Sequence, residues 1–268
     1  MFNKIIASIT ILSLFTFSTP VTHVTNGYAA SGYGWGYKKN NNHEIPDIGK
    51  YKQMLEQYGA YYADDSGEKN IYLTFDNGYE QGYTEDVLDV LKEAKVPATF
   101  FVTGHYVKSE PDLVKRMVDD GHIIGNHSYH HPDFTIITKE AIQKELEDLE
   151  RAVAAVSDQK ELKYLRPPRG IFSEKTLKWS NELGYIHIFW SLAFADWNVH
   201  KQKGWRYAFD QVMKQVHPGA IVLLHTVSSD NAEALSRLIR ELKKKGYTFK
   251  SLDEFVMKDK LPEGIYGL

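Results

Sequence analysis

The feature of this sequence that most constrains its fold is a repeated alternation between Asn70 and Val256. A short apolar run such as "NIYLTF" is followed by a helical pattern such as "YTEDVLDVLKEAK", and about seven such units follow one another. Apolar strands that alternate with helices are typical of a parallel sheet with helical crossovers. A closed barrel of eight units usually needs about 250 residues, more than this region offers. We therefore expect an α/β fold, a distorted or incomplete (β/α) barrel with about seven parallel strands.

An open, doubly wound sheet is the alternative architecture for the same alternation. That fold usually carries a glycine-rich phosphate loop directly after its first strand. In this sequence the first strand runs instead into "DNGYE". The incomplete barrel is therefore the favoured prediction.

The segments outside the alternating region have a different character. Residues 1–30 combine one lysine, an uncharged apolar run and small residues, from "MFNKIIASITILSLFTF" to "NGYAAS". Because the run is shorter than the ~20 residues of a membrane span, it is typical of a secretory signal peptide, with an uncleaved anchor as the alternative. We predict an irregular N-terminal arm and a short helix over 31–68, the main domain over 69–258 and a C-terminal tail over 259–268.

Composition narrows the classes of function. The formal net charge is −3 over 268 residues, so electrostatics favour neither nucleic acid nor an anionic membrane surface as a partner. The chain contains no cysteine, which excludes disulfides and is compatible with an oxidising exterior. We expect a protein that is exported through its signal peptide and acts outside the cytoplasmic membrane.

Reactive side chains fall at the ends of most predicted strands. Ligands of parallel α/β folds bind at the carboxyl ends of the strands. Five strands place reactive groups at or just past this end: Asp76, Asn126 with His127, Arg166, Asp196 with Trp197, and His225. Because hydrolases use these side-chain types, we predict a hydrolytic site at this rim.

The segment "NHSYHHPD" contains the candidate metal site. His127 and His131 are four residues apart, so one helical turn would place both imidazoles within reach of one cation. Histidines without a metal are the alternative, but this pair begins where a strand ends. Such a site needs a third protein ligand and an open position for water, and "TFDNG" supplies natural donors.

Five segments of the sequence resemble, in order, the motifs of the polysaccharide deacetylase (NodB homology) family, carbohydrate esterase family 4: "TFDNGYE", "HSYHHP", "RPPRG", "ADWN" and "LLHT". The resemblance covers Asn70 to Ser251. Three further features are more similar to the sporulation members, which act on N-acetylmuramic acid in spore-cortex peptidoglycan. These features are the asparagine after the first aspartate, the second arginine of "RPPRG" and the arm "WGYKKNNNHEIPD".

The resemblance implies a role for each reactive side chain. The implied catalytic groups are Asp76 as general base, Arg166 as the residue that holds it, His225 as general acid and Asp196 as the partner of His225. The implied metal ligands are His127, His131 and Asn77. The implied substrate-binding residues are Arg169, Tyr79, and Trp197 with Leu223 around the acetyl methyl. Amide hydrolysis needs an activated water, oxyanion stabilisation and a proton for the leaving nitrogen, which such a set supplies.

Two positions depart from the family pattern. Asn77 stands where typical members carry a second aspartate as metal ligand, and an amide brings no charge, so we expect a weakly bound divalent metal, zinc. Alternatively, Asn77 is only a turn residue and the site uses no metal. Arg169 replaces an aromatic or small residue, and its guanidinium suits bidentate binding of a lactyl carboxylate. An exposed arginine after a proline turn is the alternative for Arg169.

The sequence thus predicts a metal-assisted hydrolase that deacetylates N-acetylmuramic acid in peptidoglycan glycan strands, leading to muramic δ-lactam in the spore cortex. We expect a monomer in the cell envelope or developing cortex space, acting after an amidase has removed the stem peptides. One alternative is deacetylation of peptidoglycan N-acetylglucosamine, chitin oligomers or acetylated xylan. The others are a glycosidase that uses Asp76 and Asp196, and a catalytically inactive wall-binding homologue.

Overall fold

The computed structural model describes residues 32–260. The predicted signal peptide, residues 1–30, lies outside the described residues, as do residues 261–268 of the predicted C-terminal tail. Within 32–260, no helix combines the length and the apolar character that a membrane crossing requires.

Seven parallel strands form the central sheet of the described region. All strands of the described region, in chain order, are β1 Tyr33–Gly34, β2 Asn70–Asn77, β3 Ala98–Val102, β4 Ile123–Asn126, β5 Tyr164–Leu165, β6 Ile171–Phe172, β7 Ile186–His187, β8 Ala220–His225 and β9 Thr248–Phe249. Of these, β1 and β6 form a separate two-stranded sheet. The sheet order is β7-β5-β4-β3-β2-β8, with β9 beside β2. Beyond β7, Leu192 forms an isolated parallel bridge to Val222 of β8. The sheet is an open, curled half-barrel, and the predicted incomplete barrel with about seven parallel strands is confirmed.

Most helices follow a strand, as the alternation predicts. Among residues 32–260 they are α1 Tyr51–Gln57, α2 Thr84–Ala94, α3 Gly104–Ser109, α4 Pro111–Asp119, α5 Lys139–Val156, α6 Glu174–Glu182, α7 Trp205–Gln215, α8 Ser229–Lys244 and α9 Leu252–Lys260. The sequence does not predict α3, because its six residues are too few to show an apolar period. Its start is nevertheless capped, since the Thr103 side chain accepts the backbone N–H of Tyr106.

The central strand β2 determines where the first reactive residues point. All eight of its residues are buried. Because successive strand side chains point to opposite faces, Ile71 and Phe75 pack between the sheet and the helices, whereas Tyr72 belongs to a separate cluster inside the half-barrel. Asp76 has the same parity as Tyr72 and therefore faces the inside. Asn77 faces the helical layer.

The N-terminal arm packs on the outside of the domain. Its only strand, β1, pairs antiparallel with β6 among the described residues. Trp35 stacks on Phe189 with ring centroids 4.4 Å apart, and its Nε1 donates to the Trp190 carbonyl at 3.0 Å. The aromatic residues of the arm thus attach an otherwise irregular segment to the barrel.

Candidate active site

Asp76 forms a buried ion pair at the inner rim of the half-barrel. Its Oδ1 accepts a hydrogen bond from Arg166 Nη1 at 2.7 Å, and Arg166 Nη2 donates to Thr74 Oγ1 at 2.9 Å. Burial would raise the pKa of Asp76, but the charges of Arg166, His127 and His225 together hold that pKa below its ordinary value. Asp76 is therefore ionised at neutral pH, as a general base requires.

His225 lies directly opposite Asp76. The two residues are register partners on the neighbouring parallel strands β8 and β2. Partners in adjacent parallel strands project from the same face of the sheet. The first and last reactive strands of the chain thus bring Asp76 and His225 to one place.

The Asp196 carboxylate holds His225. Asp196 Oδ1 lies 2.8 Å from His225 Nδ1, and Oδ2 accepts the His225 backbone N–H at 2.9 Å. Asn231 in α8 donates from Nδ2 to the same Oδ2 at 2.5 Å. Burial disfavours the imidazolium, but the Asp196 charge outweighs it and raises the pKa of His225 above its ordinary value. With Nδ1 engaged by Asp196, Nε2 is the nitrogen that can give a proton to a substrate.

His127 and His131 come together, but not through a helical turn. Their Nε2 atoms are 3.2 Å apart. The backbone between them is a tight turn in which Ser128 and His131 have φ values of +66° and +59°. Asn126 Oδ1 accepts the Ser128 N–H, and Ser128 Oγ accepts the His131 N–H, both at 2.9 Å. The predicted helical turn is therefore wrong, because local side-chain hydrogen bonds stabilise a left-handed backbone instead.

Hydrogen bonding fixes the tautomer of His127. Its Nδ1 lies 2.8 Å from the Arg166 carbonyl oxygen, which only accepts, so Nδ1 carries the proton and Nε2 a lone pair. That lone pair faces His131 Nε2 and, at 3.6 Å, Asp76 Oδ2. Burial lowers the pKa of His127, and it lowers the pKa of His131 to about 4. Both rings are therefore neutral at pH 7, the form that ligates metals.

Asn77 belongs to a buried polar network. Its Nδ2 donates to Thr226 Oγ1 at 2.7 Å, and Thr84 Oγ1 donates to the same oxygen at 2.9 Å. Tyr106 and Glu80 extend the network from Thr84. The Asn77 Oδ1 is buried and accepts no hydrogen bond, which is uncommon for a buried amide oxygen.

A cavity of about 780 Å³ opens at this rim. The predicted site residues that line it are Asp76, Tyr79, His127, His131, Trp197 and His225. Trp197 is 56% exposed, and its ring lies edge-on to His225 with centroids 5.9 Å apart. Arg166 and Asp196 lie behind the wall, where they hold Asp76 and His225.

The structure does not bring Leu223, Arg169 or Asn77 into the cavity wall. Leu223 is buried within β8. Arg169 is exposed, and its Nη2 lies 3.4 Å from Asp133 Oδ2. The binding roles assigned to these residues from the sequence stay predictions.

Sequence reasoning missed Asn231 and the cavity face of α3. Asn231 is 35 positions from Asp196, and no local pattern links them. His105 and Lys108 line the cavity from α3. The one available signal for α3 was Thr103, a good N-cap residue directly after a strand.

The donor types around the histidine pair fit a divalent cation. Two neutral imidazoles with Nε2 atoms 3.2 Å apart are compatible with zinc. The Asn77 amide oxygen is buried without a hydrogen bond, but it lies outside the cavity wall. Within residues 32–260, no group of three or more His, Cys, Asp or Glu side chains is arranged to hold a metal ion. Water could complete the coordination of a cation held by this pair, and the role of Asn77 as a third ligand stays a prediction from the sequence.

Comparison with known proteins agrees with this geometry. The family model described as polysaccharide deacetylase matches residues 63–188. The peptidoglycan-N-acetylmuramic acid deacetylase PdaA of Bacillus subtilis is 56% identical over 228 residues, which cover 85% of this chain and 87% of that protein. The chain belongs to the polysaccharide deacetylase family and is an enzyme of that family, so the resemblance found in its motifs is confirmed.

The solved structure of PdaA bears on the fold, and one further relative bears on the substrate. The solved structure of Bacillus subtilis PdaA, a family 4 carbohydrate esterase, has a TM-score of 0.84 at 55% identity and covers 85% of this chain and 98% of that chain. A chitooligosaccharide deacetylase of Sinorhizobium fredii is 35% identical over 202 residues, 70% of this chain and 93% of that protein. The relatives of this chain are thus named for different glycan substrates.

Proposed function

We propose that this chain hydrolytically deacetylates N-acetylmuramic acid residues of peptidoglycan. The proposal rests mainly on one observation: Asp76 and His225 are register partners on the neighbouring strands β2 and β8, and both line the same cavity. Arg166 and its neighbours keep the Asp76 carboxylate ionised, and Asp196 favours the protonated form of His225. Amide hydrolysis needs both, a base for the attacking water and an acid for the leaving nitrogen.

The protons move between these two residues and the substrate. Asp76 takes a proton from water through Oδ2, because Arg166 occupies Oδ1. The water oxygen bonds to the acetyl carbonyl carbon, and His225 gives its proton to the nitrogen as the C–N bond breaks. The products are acetate and a free amine. Arg166 keeps the base charged, and Asp196 keeps the acid charged.

A weakly bound divalent cation, zinc, is part of the proposal, with His127, His131 and Asn77 as its protein ligands. When bound, such a cation lowers the pKa of a water molecule and polarises the substrate carbonyl. The neutral amide of Asn77 attracts the cation less strongly than a carboxylate would. We expect the purified protein to retain metal only in part.

The choice of muramic acid rests on the relative that is 56% identical and bears that substrate in its name. The proposed substrate is a glycan strand whose stem peptides have been removed by an amidase. The amine that deacetylation frees leads to muramic δ-lactam in the spore cortex. Residues 1–30 would direct export to the cell envelope or cortex space. Plain N-acetylglucosamine glycans are the second candidate, because a chitooligosaccharide deacetylase is 35% identical.

The geometry disfavours a glycosidase. That chemistry needs one carboxylic acid that keeps its proton until it reaches the glycosidic oxygen. The pKa of Asp76 is held below its ordinary value by Arg166 and its neighbours against the effect of burial. His225 and Asn231 occupy both oxygens of Asp196. A base held by Arg166 and an acid held by Asp196 also argue against an inactive wall-binding protein, because binding alone needs neither pair.

The test is mass spectrometry of amidase-treated muramoyl glycan incubated with the full chain, with and without divalent metal. We expect a loss of about 42 Da per muramic residue, and about 18 Da more if the lactam also closes. Asp76→Asn should abolish acetate release, whereas Asp158→Asn, at an exposed position outside the cavity wall, should not.

Each other outcome identifies a different function. Acetate from chitin oligomers alone would select the second candidate. Shorter chains without acetate would indicate a glycosidase. No turnover at any metal concentration would indicate an inactive homologue.

A further inference from the structure

The cavity contains one positive side chain that the proposed chemistry does not use. Among the described residues that line it, Lys108 is the only lysine or arginine and Asp76 the only carboxylate. Arg166 already neutralises Asp76 at 2.7 Å. The Lys108 side chain makes no hydrogen bond or ion pair with another described residue. Its charge is therefore uncompensated at the cavity wall.

Lys108 is also held at a defined place relative to the two histidines. It lies on α3, whose first residue, Gly104, donates its N–H to the Tyr129 carbonyl at 3.0 Å. A Cβ on Gly104 would lie 2.4 Å from Tyr129 Cδ2, so the helix and the turn are in direct contact. Tyr129 stands between His127 and His131 in that turn. Lys108 follows Gly104 by four residues, about one helical turn, and faces the same side.

An uncompensated lysine at a sugar-binding wall favours a substrate with an anionic group. N-acetylglucosamine offers only neutral hydroxyl and amide groups. Muramic acid adds a lactyl ether, and this ends in a free carboxylate once the stem peptide has been removed. An ammonium on a flexible stem binds a carboxylate by charge without requiring a planar geometry.

We propose that Lys108 binds the lactyl carboxylate of a peptide-free muramic acid and so selects that residue over N-acetylglucosamine; this inference rests on the function proposed above. Arg169, the candidate from the sequence, lies outside the cavity wall with its guanidinium near Asp133. Lys108 lines the same cavity as Asp76 and His225. Lys108 is therefore a specificity residue and takes no part in proton transfer.

The experiment compares Lys108→Gln with the wild type on two glycans. One is amidase-treated muramoyl glycan with free carboxylates, and the other is the same glycan with those carboxylates converted to methylamides. For Lys108→Gln on the free-carboxylate glycan, we expect KM to rise about 5–10-fold with kcat changed less than about twofold, the pattern of a lost binding contact. On the methylamide glycan, Lys108→Gln and the wild type should be equal.

Two further variants serve as controls. Lys108→Arg keeps the charge and should keep most of the preference for the free carboxylate. Lys214→Gln removes a charge from an exposed position on α7, outside the cavity wall, and should behave as the wild type.

Three outcomes would overturn the inference while leaving the proposed function in place. The first is wild-type KM for Lys108→Gln on the free-carboxylate glycan. The second is an equal loss on both glycans, which would mean a structural role. The third is a carboxylate-selective rise in KM from Arg169→Gln alone. A wild-type enzyme that releases acetate from neither glycan would overturn the proposed function itself.

Discussion

Asp76 and His225 are both largely removed from water, yet each keeps its charge near neutral pH. Arg166 opposes the effect of burial on Asp76, and Asp196 opposes it on His225. Pairs of titratable groups whose pKa values are pushed apart in this way mark the base and the acid of a site. Asn231 donates a 2.5 Å hydrogen bond to Asp196. It thereby fixes the carboxylate that raises the pKa of His225.

Asp196→Asn should lower kcat by about 10²–10⁴-fold, the usual contribution of a general acid. The substitution removes the charge that raises the pKa of His225 against the effect of burial. Because the active form has His225 protonated, activity is lost as pH rises through that pKa. The alkaline limb of the kcat/KM profile should therefore move to lower pH, while the acidic limb set by Asp76 stays. An alkaline limb at its wild-type position would contradict the role of Asp196.

The turn that carries the two histidines and the short helix α3 form one structural unit. Left-handed backbone at Ser128 and His131 is held by hydrogen bonds within the turn. Gly104 then joins α3 to the turn through its N–H and through contact with the ring of Tyr129. Because left-handed conformations are costly for residues other than glycine, this support matters for the spacing of the imidazoles.

Gly104→Ala should disrupt this unit. The new Cβ would lie 2.4 and 2.5 Å from Tyr129 Cδ2 and Cγ, atoms that cannot swing away without moving the turn. We expect a loss of about 1–3 kcal/mol in the free energy of unfolding and a lower kcat/KM, measured by urea titration and acetate release. Gly34→Ala is the matched control, since no atom lies within 4 Å of its added Cβ. Equal stability of the two variants would rule out the proposed contact.

Across the half-barrel, the strands are predictable from the sequence and the contacts between distant segments are not. Apolar runs predict parallel strands, and parallel strands bring Asp76 and His225 to one rim, so counting strand ends finds most of the site. The left-handed turn at Ser128 is missed because the spacing of the histidines also suits a helix. The hydrogen bond between Asn231 and Asp196 joins helix α8 to a distant loop, and no periodic pattern encodes it.

The stability of the fold should fall in acid partly because of His187. This residue of β7 is 1% exposed, and neither ring nitrogen has a hydrogen-bond partner. Burial lowers its pKa from 6.5 to about 3, so below pH 6.5 the unfolded chain binds a proton that the native state does not. The contribution of neutral His187 to the free energy of unfolding is complete above the pKa of the unfolded chain. It is lost as the pH falls toward the pKa of His187 in the folded protein.

His187→Phe should reduce this loss of stability between pH 7 and pH 5 by about 2 kcal/mol. Urea titrations at the two pH values measure the difference directly. His200→Gln, at an exposed position, should keep the wild-type dependence. A His187→Phe variant with the same acid sensitivity as the wild type would show that other groups dominate.

Asp76 and His225 are register partners of adjacent parallel strands, and this pairing limits which changes to the enzyme can move them apart. Their separation is a property of the hydrogen-bonded ladder between β2 and β8, whose strands lie about 4.8 Å apart, and not of the segments that surround the cavity. Changes in those segments, α3 among them, should therefore leave the spacing of Asp76 and His225 unaltered. The spacing of Asp76 and His225 is thus independent of α3, whereas the spacing of the two histidines is not.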